Sequence, residues 1–331
     1  MSAKPELRDG QSWSFDAFVV AGAFDRSGVC AFALGDGSLR LIDAAGMVKE
    51  IAAHNGACLA LTPASSAGFI SGGDDGRLLH TRLDGSLVEL AKSKGKWIEQ
   101  VAVAADTGLI AYAAGKEATI IDGATRTAFA HSSTVGGLAF DAKGRRLAAA
   151  HYDGVSLWWA KASGQDAKQL KWKGSHLGAT WSPDGRFLVS TMQENALHGW
   201  RLEDAADMRM TGYPAKIKSW AWDRRGKFLF TSGAARVIGW PFTGRTGPMD
   251  KEPRELGPQR DNLVTAVAAH PRIDAIAAGT NDGTVWIEHL DDPGTEYFAR
   301  KAAPITALAF SPDDKFLAIA TEGGFAALVP F

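Results

Sequence analysis

The sequence has few cysteines, no long apolar run and no excess of either charge. Only Cys30 and Cys58 are cysteine among 331 residues, and their spacing fits neither a disulfide framework nor a metal-ligand motif. No segment reaches the ~20 apolar residues of a membrane-spanning helix. The N-terminus lacks the apolar core of a secretory signal. We therefore expect a cytoplasmic protein with buried thiols that is neither exported nor bound to a membrane.

The charge balance excludes a strong general attraction to polyanions. The chain has 36 lysine and arginine residues against 37 aspartate and glutamate residues, which gives a formal net charge of -1. Bulk electrostatics therefore do not favour nucleic acid as a partner, and any charged binding surface must be local.

What the sequence does contain is a repeat of about forty residues. Eight times an apolar strand ends, passes through a polar turn and leads into a second strand. The strand ends lie 37, 43, 36, 41, 41, 47 and 41 residues apart, at Phe24, Leu61, Ala104, Phe140, Trp181, Trp222, Ala269 and Phe310. This period predicts an all-β ring of small antiparallel sheets, because one such sheet cannot bury both faces alone. Residues 1–331 are then a single domain.

Strands and turns can be placed within each repeat. In the fifth repeat the turn signals predict strands at 177–181, 186–191 and 196–201. More polar fourth strands, suited to a sheet edge, are predicted at 48–52, 168–172 and 296–300.

The turn residues resemble those of the WD-repeat family of β-propellers, over nearly the whole chain. The first turn has the Ser-Pro-Asp-Gly type, as in 182–185. The second turn carries Asp-Gly at Asp36-Gly37, Asp75-Gly76, Asp153-Gly154 and Asp282-Gly283, and histidine precedes the first strand at His54, His131 and His176. No repeat keeps an intact Trp-Asp dipeptide, so no subfamily is assigned.

The resemblance implies a structural hydrogen-bond network in each blade. By position, it pairs His54 with Asp75 and His131 with Asp153, and gives His176 the same role in the fifth repeat. The tryptophan position late in the third strand is taken by Trp158, Trp200 and Trp240.

The number of first strands favours eight four-stranded blades, with seven as the alternative. The last repeat stops at Phe331, directly after its third strand. We expect the N-terminal segment around Trp13-Ser14-Phe15 to supply the missing fourth strand and so to close the ring.

No catalytic or cofactor-binding motif is present. No two histidines have the close spacing of a zinc or iron motif, and the paired aspartates fall in turns, where Asp is favoured for local reasons. The glycine-rich segments join strand to strand, whereas a phosphate-binding loop joins strand to helix. We therefore predict no catalytic residue, no cofactor and no metal.

A basic, aromatic-bearing patch is the candidate binding site. Connections that lead into successive first strands emerge on one face of a propeller, and here they carry tryptophans beside lysines, as exposed anchors or as packing residues. The candidates are Lys96, Trp97, Lys171, Trp172, Lys173, Lys216, Lys218 and Arg260. Such a patch would suit an acidic peptide segment of a protein partner.

Three alternative functions can be weighed against these features of the sequence. The first is a non-catalytic scaffold that presents loops of a rigid propeller to one or more proteins. The second is a propeller-type hydrolase with an axial metal or acid/base site, and the third is a module that binds RNA or another polyanion. The lack of a catalytic constellation favours the scaffold, although fold does not fix function. Partner identity and oligomeric state do not follow from the sequence.

Overall fold

The computed structural model describes residues 10–162, 164–258, 261–291, 295–298 and 303–331. Within these ranges thirty β-strands form seven sheets. No helix among the described residues has the length and apolar character needed to cross a bilayer.

Six of the sheets have four strands. Three sheets contain, in spatial order, β2 (Val19–Phe24), β3 (Cys30–Leu34), β4 (Ser38–Ile42), β5 (Val48–Ala52); β6 (Cys58–Pro63), β7 (Phe69–Gly73), β8 (Arg77–Thr81), β9 (Leu87–Lys92); and β10 (Gln100–Val103), β11 (Ile110–Ala114), β12 (Glu117–Asp122), β13 (Thr125–Ala130). Two further sheets contain β20 (Trp220–Trp222), β21 (Phe228–Thr231), β22 (Val237–Pro241), β23 (Arg254–Leu256); and β24 (Val264–Ala269), β25 (Ala275–Thr280), β26 (Val285–His289), β27 (Thr295–Phe298). The sixth joins both ends of the described chain, in the order β1 (Gln11–Ser14), β30 (Phe325–Pro330), β29 (Phe316–Thr321), β28 (Ile305–Phe310).

The seventh sheet has six strands, and it corrects the expected number of blades. Its order is β14 (Gly137–Phe140), β15 (Arg146–Trp159), β16 (Lys168–Trp181), β17 (Phe187–Met192), β18 (Leu197–Arg201) and β19 (Asp207–Met210). The prediction of eight separate blades is therefore wrong, since the described strands form seven sheets.

Two long strands explain the difference. The sequence indicates a turn at Asp153-Gly154 and a boundary between repeats after Trp172, yet both positions lie within 14-residue strands. The ladder between β15 and β16 shifts register between Tyr152 and Gly154. A bulge of this kind bends a strand without ending its pairing, so turn residues there do not separate two sheets.

Strand β1 pairs antiparallel with β30, from Gln11 opposite Leu328 to Ser14 opposite Phe325. This pairing places the two ends of the described chain in one sheet. It lies within that sheet and does not by itself establish the predicted closure of a ring.

The predicted fourth strands can also be located. The first corresponds to β5, Val48–Ala52, and the second lies within β16. The third overlaps β27, while its end at 299–300 lies outside the described residues.

The described residues fall into two compact units. One lies within Met1–Gly35, Leu39–Glu50 and Tyr213–Phe331, and the other within Asp36–Ser38 and Ile51–Gly212. The prediction of one domain over 1–331 stays a prediction.

The core lies between consecutive sheets. In the first unit, one buried cluster includes Ile287 of β26 together with Leu317 and Val329 of the next sheet. In the second unit, another cluster includes Ile70 of β7 and Ile121 of β12. Inner strands such as β3, β7, β17 and β25 are buried at every residue. Packing on both faces of a sheet explains their continuous apolar character, where a half-exposed strand would alternate.

The first turns follow from local chemistry. In the turn after β16, the Ser182 hydroxyl donates to Asp184 Oδ1 over 2.7 Å, and the Gly185 amide donates to the Ser182 carbonyl over 2.7 Å. Gly185 has a φ of 71°, which a residue without a side chain adopts at no steric cost. The residues that mark the repeat in the sequence are thus the ones that reverse the chain.

Candidate functional site

The structure brings His54 and Asp75 together. His54 lies between β5 and β6, and Asp75 lies in the turn between β7 and β8. His54 Nδ1 is 3.0 Å from Asp75 Oδ1, and His54 Nε2 is 2.9 Å from the Ser71 hydroxyl. Asp75 also accepts hydrogen bonds from the amides of Asn55 and Arg77, each over 3.0 Å. The carboxylate therefore ties the connection before β6 to the turn before β8.

The ionisation of this pair follows from its surroundings. Burial lowers the pKa of His54, although the Asp75 carboxylate acts in the opposite direction. Burial acts to raise the pKa of Asp75, but hydrogen bonds from Asn55, Arg77 and His54 together hold it below its usual value. The neutral imidazole with Nδ1–H donating to Asp75, and Nε2 accepting from Ser71, satisfies both ring nitrogens.

His131 and Asp153 are not brought together in the same way. The Trp158 indole N–H donates to His131 Nε2 over 3.3 Å, and His131 Nδ1 is buried with no hydrogen-bond partner. Asp153 is exposed at the bulge in β15, where its φ is 68°. The residue pattern placed Asp153 in a second turn, but the continuous strand carries its carboxylate away from the histidine.

Other residues take equivalent positions in the remaining sheets. His176 Nδ1 is 2.7 Å from the Ser190 hydroxyl, and its Nε2 donates to the Trp172 carbonyl over 3.0 Å. In the first unit the Trp240 indole donates to the Tyr213 hydroxyl over 2.7 Å, and burial raises the pKa of that tyrosine to about 12. The Asn262 side chain donates to Asp282 Oδ2 over 2.6 Å. Sequence reasoning missed Tyr213 and Asn262 because it searched these positions for histidine alone.

Two of the tryptophans expected at the third-strand position pack inside the protein. Trp200 is fully buried, and Trp158 stacks on Phe129 with ring centroids 4.4 Å apart. Trp172 stacks on the ring of His198 at 4.1 Å and 17°. Trp172 is therefore a half-buried packing residue and not the exposed anchor that its neighbouring lysines suggested.

His198 makes the stability of the protein sensitive to acid. Its side chain is enclosed by aromatic rings, and burial lowers its pKa to about 3, despite the solvent-exposed carboxylate of Asp207 at 3.5 Å from Nε2. Because its pKa rises to about 6.5 in the unfolded chain, protonation below that pH favours unfolding. Its contribution to stability is thus complete above pH 6.5 and is lost as the pH falls toward 3.

We expect His198 alone to reduce the free energy of unfolding by about 2 kcal/mol between pH 7 and pH 5. Urea unfolding at the two pH values measures this loss. The His198→Phe variant keeps a ring in the stack but cannot be protonated, so its unfolding should be less pH-dependent by that amount. An equal pH dependence in the two proteins would contradict the assignment.

Lys96 and Trp97 occupy the connection before β10. Lys96 is exposed, and Trp97 has 60% of its surface accessible. The Lys96 side chain lies above Gly115, where an added Cβ would be 3.7 Å from Lys96 Cδ. This predicted anchor is therefore available to a partner.

Lys171 and Lys173 are also exposed, and two apolar residues lie beside them that sequence reasoning missed. Tyr152 is 55% exposed and pairs with Ser175, while Leu177 is 38% exposed. The connection before β14 links these residues to the Lys96 region. The Val135 amide donates to the Gly115 carbonyl over 2.9 Å, and an added Cβ on Gly136 would be 3.2 Å from Leu177 Cα. We call this set the connection surface: Lys96, Trp97, Tyr152, Lys171, Lys173 and Leu177.

The remaining candidates lie outside the second unit or outside the described residues. Lys216 and Lys218 are exposed but belong to the other compact unit, and Arg260 lies outside the described residues. Exposed acidic residues also lie in the second unit. Glu99 is in the connection before β10, Asp153 follows Tyr152 within β15, and Glu194, in the turn between β17 and β18, is next to Gly174. Exposed carboxylates therefore border the connection surface, and the basic, aromatic-bearing patch stays a prediction.

A second surface surrounds Trp159. Three cavities of 570, 230 and 200 Å³ are each lined in part by this side chain, which is 57% exposed. Their walls are the turns at 104–108, 141–146 and 182–185 and the segment after β15. We call the three cavities together the Trp159 groove.

Close contact between two turns forms one wall of the groove. Gly144 has a φ of 61°, and an added Cβ there would be 2.6 Å from Thr107 Oγ1 and 2.8 Å from Ala104 Cβ. Only glycine permits both this backbone conformation and this approach.

The position of Trp159 is fixed by its backbone. Its amide donates to Gln165 Oε1 over 3.0 Å, and Gln165 Nε2 donates to its carbonyl over 2.7 Å. The following amide, of Ala160, donates to the Arg145 carbonyl over 2.8 Å. Adjacent residues in a strand point to opposite faces, so with Trp158 packed inward the Trp159 ring points outward. The Trp158-Trp159 pair was the sequence signal for this site.

In the described ranges no group of three or more His, Cys, Asp or Glu side chains is arranged to hold a metal ion. Cys30 and Cys58 are buried free thiols, and burial raises the pKa of Cys58 to about 12.

The repeated four-stranded sheets, with apolar clusters between consecutive sheets, define an all-β protein of the β-propeller class. Comparison with solved structures agrees with this fold. The chain is similar to a chain of a structure titled "Crystal Structure of Mitotic Checkpoint Complex", with a TM-score of 0.66 and 16% identity over 99% of this chain and 97% of that chain.

The comparisons assign no family. No protein-family model matches the chain, and no curated protein matches it. In all, 1813 chains of solved structures match. A fold shared so widely serves many functions, so the likeness describes architecture and the surfaces must carry any functional argument.

Proposed function

We propose that this protein is a non-catalytic cytoplasmic scaffold, related to WD-repeat propellers, that binds a protein partner through the connection surface. The observation that carries the proposal is the exposure of Trp97, Tyr152 and Leu177 at one end of the sheets. Large aromatic side chains supply most of the binding energy at protein interfaces. The structural neighbour is part of a protein complex, which supports a partner of the same general kind.

The charges of the connection surface favour a folded protein partner over a short polyanion. Lys96, Lys171 and Lys173 have no hydrogen-bond or ion-pair partner among the described residues. The exposed carboxylates of Glu99, Asp153 and Glu194 partly offset the positive charge of these lysines. Such charges set the orientation and the association rate of a partner, while the apolar residues contribute most of the affinity.

Substitutions in the connection surface test the proposal. Trp97→Ala and the pair Lys171→Glu with Lys173→Glu should each weaken binding of a protein recovered from native lysate by about tenfold or more. Their melting temperatures should stay nearly unchanged, because the replaced side chains are exposed. The measurement is partner recovery on the immobilised full chain, followed by titration of the identified partner.

Trp159→Ala is the matched control, since Trp159 is as exposed as Trp97 but lies elsewhere. It should leave binding of that partner intact. Normal binding by both connection-surface variants would show that the partner does not use this surface. The segment 243–258, which follows β22 and includes β23, would then be the next to test.

A further inference from the structure

The Trp159 groove is a separate surface from the connection surface. Tyr152 and Trp159 are both in β15, seven residues apart, and an extended strand rises about 3.3 Å per residue. Up to ~23 Å of strand therefore separates the two exposed aromatic side chains along the chain. The turns that line the groove are those after first strands, whereas the connection surface is built from segments that lead into them.

The shape of the groove favours an extended occupant. A single cavity of 570 Å³ would accept a compact ligand. Here two smaller cavities adjoin it along the Trp159 side chain. The second shares Lys143 and Arg145 with the first and reaches Pro183, and the third shares Arg146 with the second and reaches Leu202. A peptide in extended conformation can cover such a row of cavities, with a large apolar side chain packed on Trp159.

The charges of the groove favour an acidic residue in that peptide. Lys143 and Arg145 line both the first and the second cavity, and their side chains have no partner among the described residues. Nearby carboxylates are already paired: Asp141 with Arg146 at 2.9 Å, and Asp184 with Arg186 at 2.6 Å. In the second cavity, where both carboxylates are paired, these two cations therefore present uncompensated positive charge beside the exposed indole.

The two carboxylates of the groove that have no partner among the described residues lie toward its ends. Asp106 lines only the first cavity, and Asp166 lines only the third. The centre of the groove is accordingly its most positive part, and this sets the expected order of residues in the occupant.

We propose that the Trp159 groove binds an extended acidic peptide segment of a partner protein, in which a large apolar residue contacts Trp159 and an adjacent carboxylate contacts Lys143 and Arg145. This site goes beyond the proposed function, which uses the connection surface, and it would give the scaffold two binding sites.

Selection from a library of short random peptides on the immobilised full chain tests the proposal. Bound peptides should be enriched in sequences that place aspartate or glutamate next to a large apolar residue. Titration calorimetry then compares an enriched peptide with the same peptide after its acids are replaced by lysine. The acidic form should bind about tenfold or more tightly than the lysine form.

Variants of the protein locate the site. Trp159→Ala, and Lys143→Glu combined with Arg145→Glu, should each weaken binding of the enriched peptide about tenfold or more, while Trp97→Ala should not. All the replaced side chains are exposed, so an unchanged melting temperature verifies folding. Enrichment of no peptide, of basic peptides, or of peptides whose binding survives Trp159→Ala would overturn the proposal. Loss of binding in Trp97→Ala alone would assign the peptide to the connection surface and would equally overturn it.

Discussion

Deletion of residues 1–15 should lower the free energy of unfolding by about 4 kcal/mol or more, or prevent folding. The deletion removes the four residue pairs between β1 and β30 and the hydrogen bond from the Phe15 amide to the Gly324 carbonyl, 2.9 Å long. Trp13 and Phe15 also pack against a buried cluster that includes Phe32. Loss of large aromatic core residues commonly costs 3–5 kcal/mol each when they are fully buried, and these two are half-buried.

Side-chain variants keep this prediction testable if the deleted chain does not fold. Phe15→Ala should destabilise the full chain, because its ring packs near Phe32, with ring centroids 6.4 Å apart, and beneath the Arg40 guanidinium. Gln11→Ala with Ser14→Ala removes only exposed side chains of the same strand and is the control. Urea unfolding of the full-length chain, the Phe15→Ala variant and the control variant measures the differences in the free energy of unfolding. Equal stability of the deleted and full-length chains would show that β1 contributes nothing to the sheet.

Asp75→Ala should destabilise the protein by about 3 kcal/mol. The substitution removes the acceptor for His54 Nδ1–H and for the amides of Asn55 and Arg77. A buried hydrogen-bond donor without a partner costs about 1–3 kcal/mol of stability, and His54 is buried. Thermal or urea unfolding at pH 7 measures the loss.

Asp153→Asn is the matched control for this prediction. Asp153 occupies the equivalent position in the repeat, but its side chain has no hydrogen-bond or ion-pair partner among the described residues. Asparagine tolerates the positive φ, so we expect a change within about 0.5 kcal/mol. Equal effects of the two substitutions would show that the His54–Asp75 contact is not the source of the stability.

The candidate binding residues illustrate a limit of sequence reasoning about surfaces. Trp97 and Trp172 have similar neighbours in the sequence, since a lysine directly precedes each of them. The structure exposes the first and stacks the second on His198. Exposure depends on which residues of distant strands lie opposite, and no pattern near either tryptophan contains that information.

The Trp159 groove shows the same dependence. Two adjacent tryptophans in one strand, Trp158 and Trp159, must point to opposite faces, but sequence reasoning did not use this signal. The groove also requires the turns at 104–108, 141–146 and 182–185 to meet beside β15. These turns are separated by about forty residues each, and only the packing of neighbouring sheets brings them together.

The sequence by itself determined the all-β class, the period of the repeat and the positions of the turns. Those features depend on residues close in the chain: Gly185 reverses the backbone, Asp184 binds the hydroxyl and amide beside it, and apolar runs such as β17 are long enough for one buried strand. Only the tertiary structure decided the number of sheets and the partners of His131 and His176. The bulge at Tyr152 and Gly154 let β15 continue through a predicted turn, which joined two repeats in one sheet and separated Asp153 from His131. Register between distant strands arises from packing over whole sheets, and one residue of shift is enough to redirect a side chain.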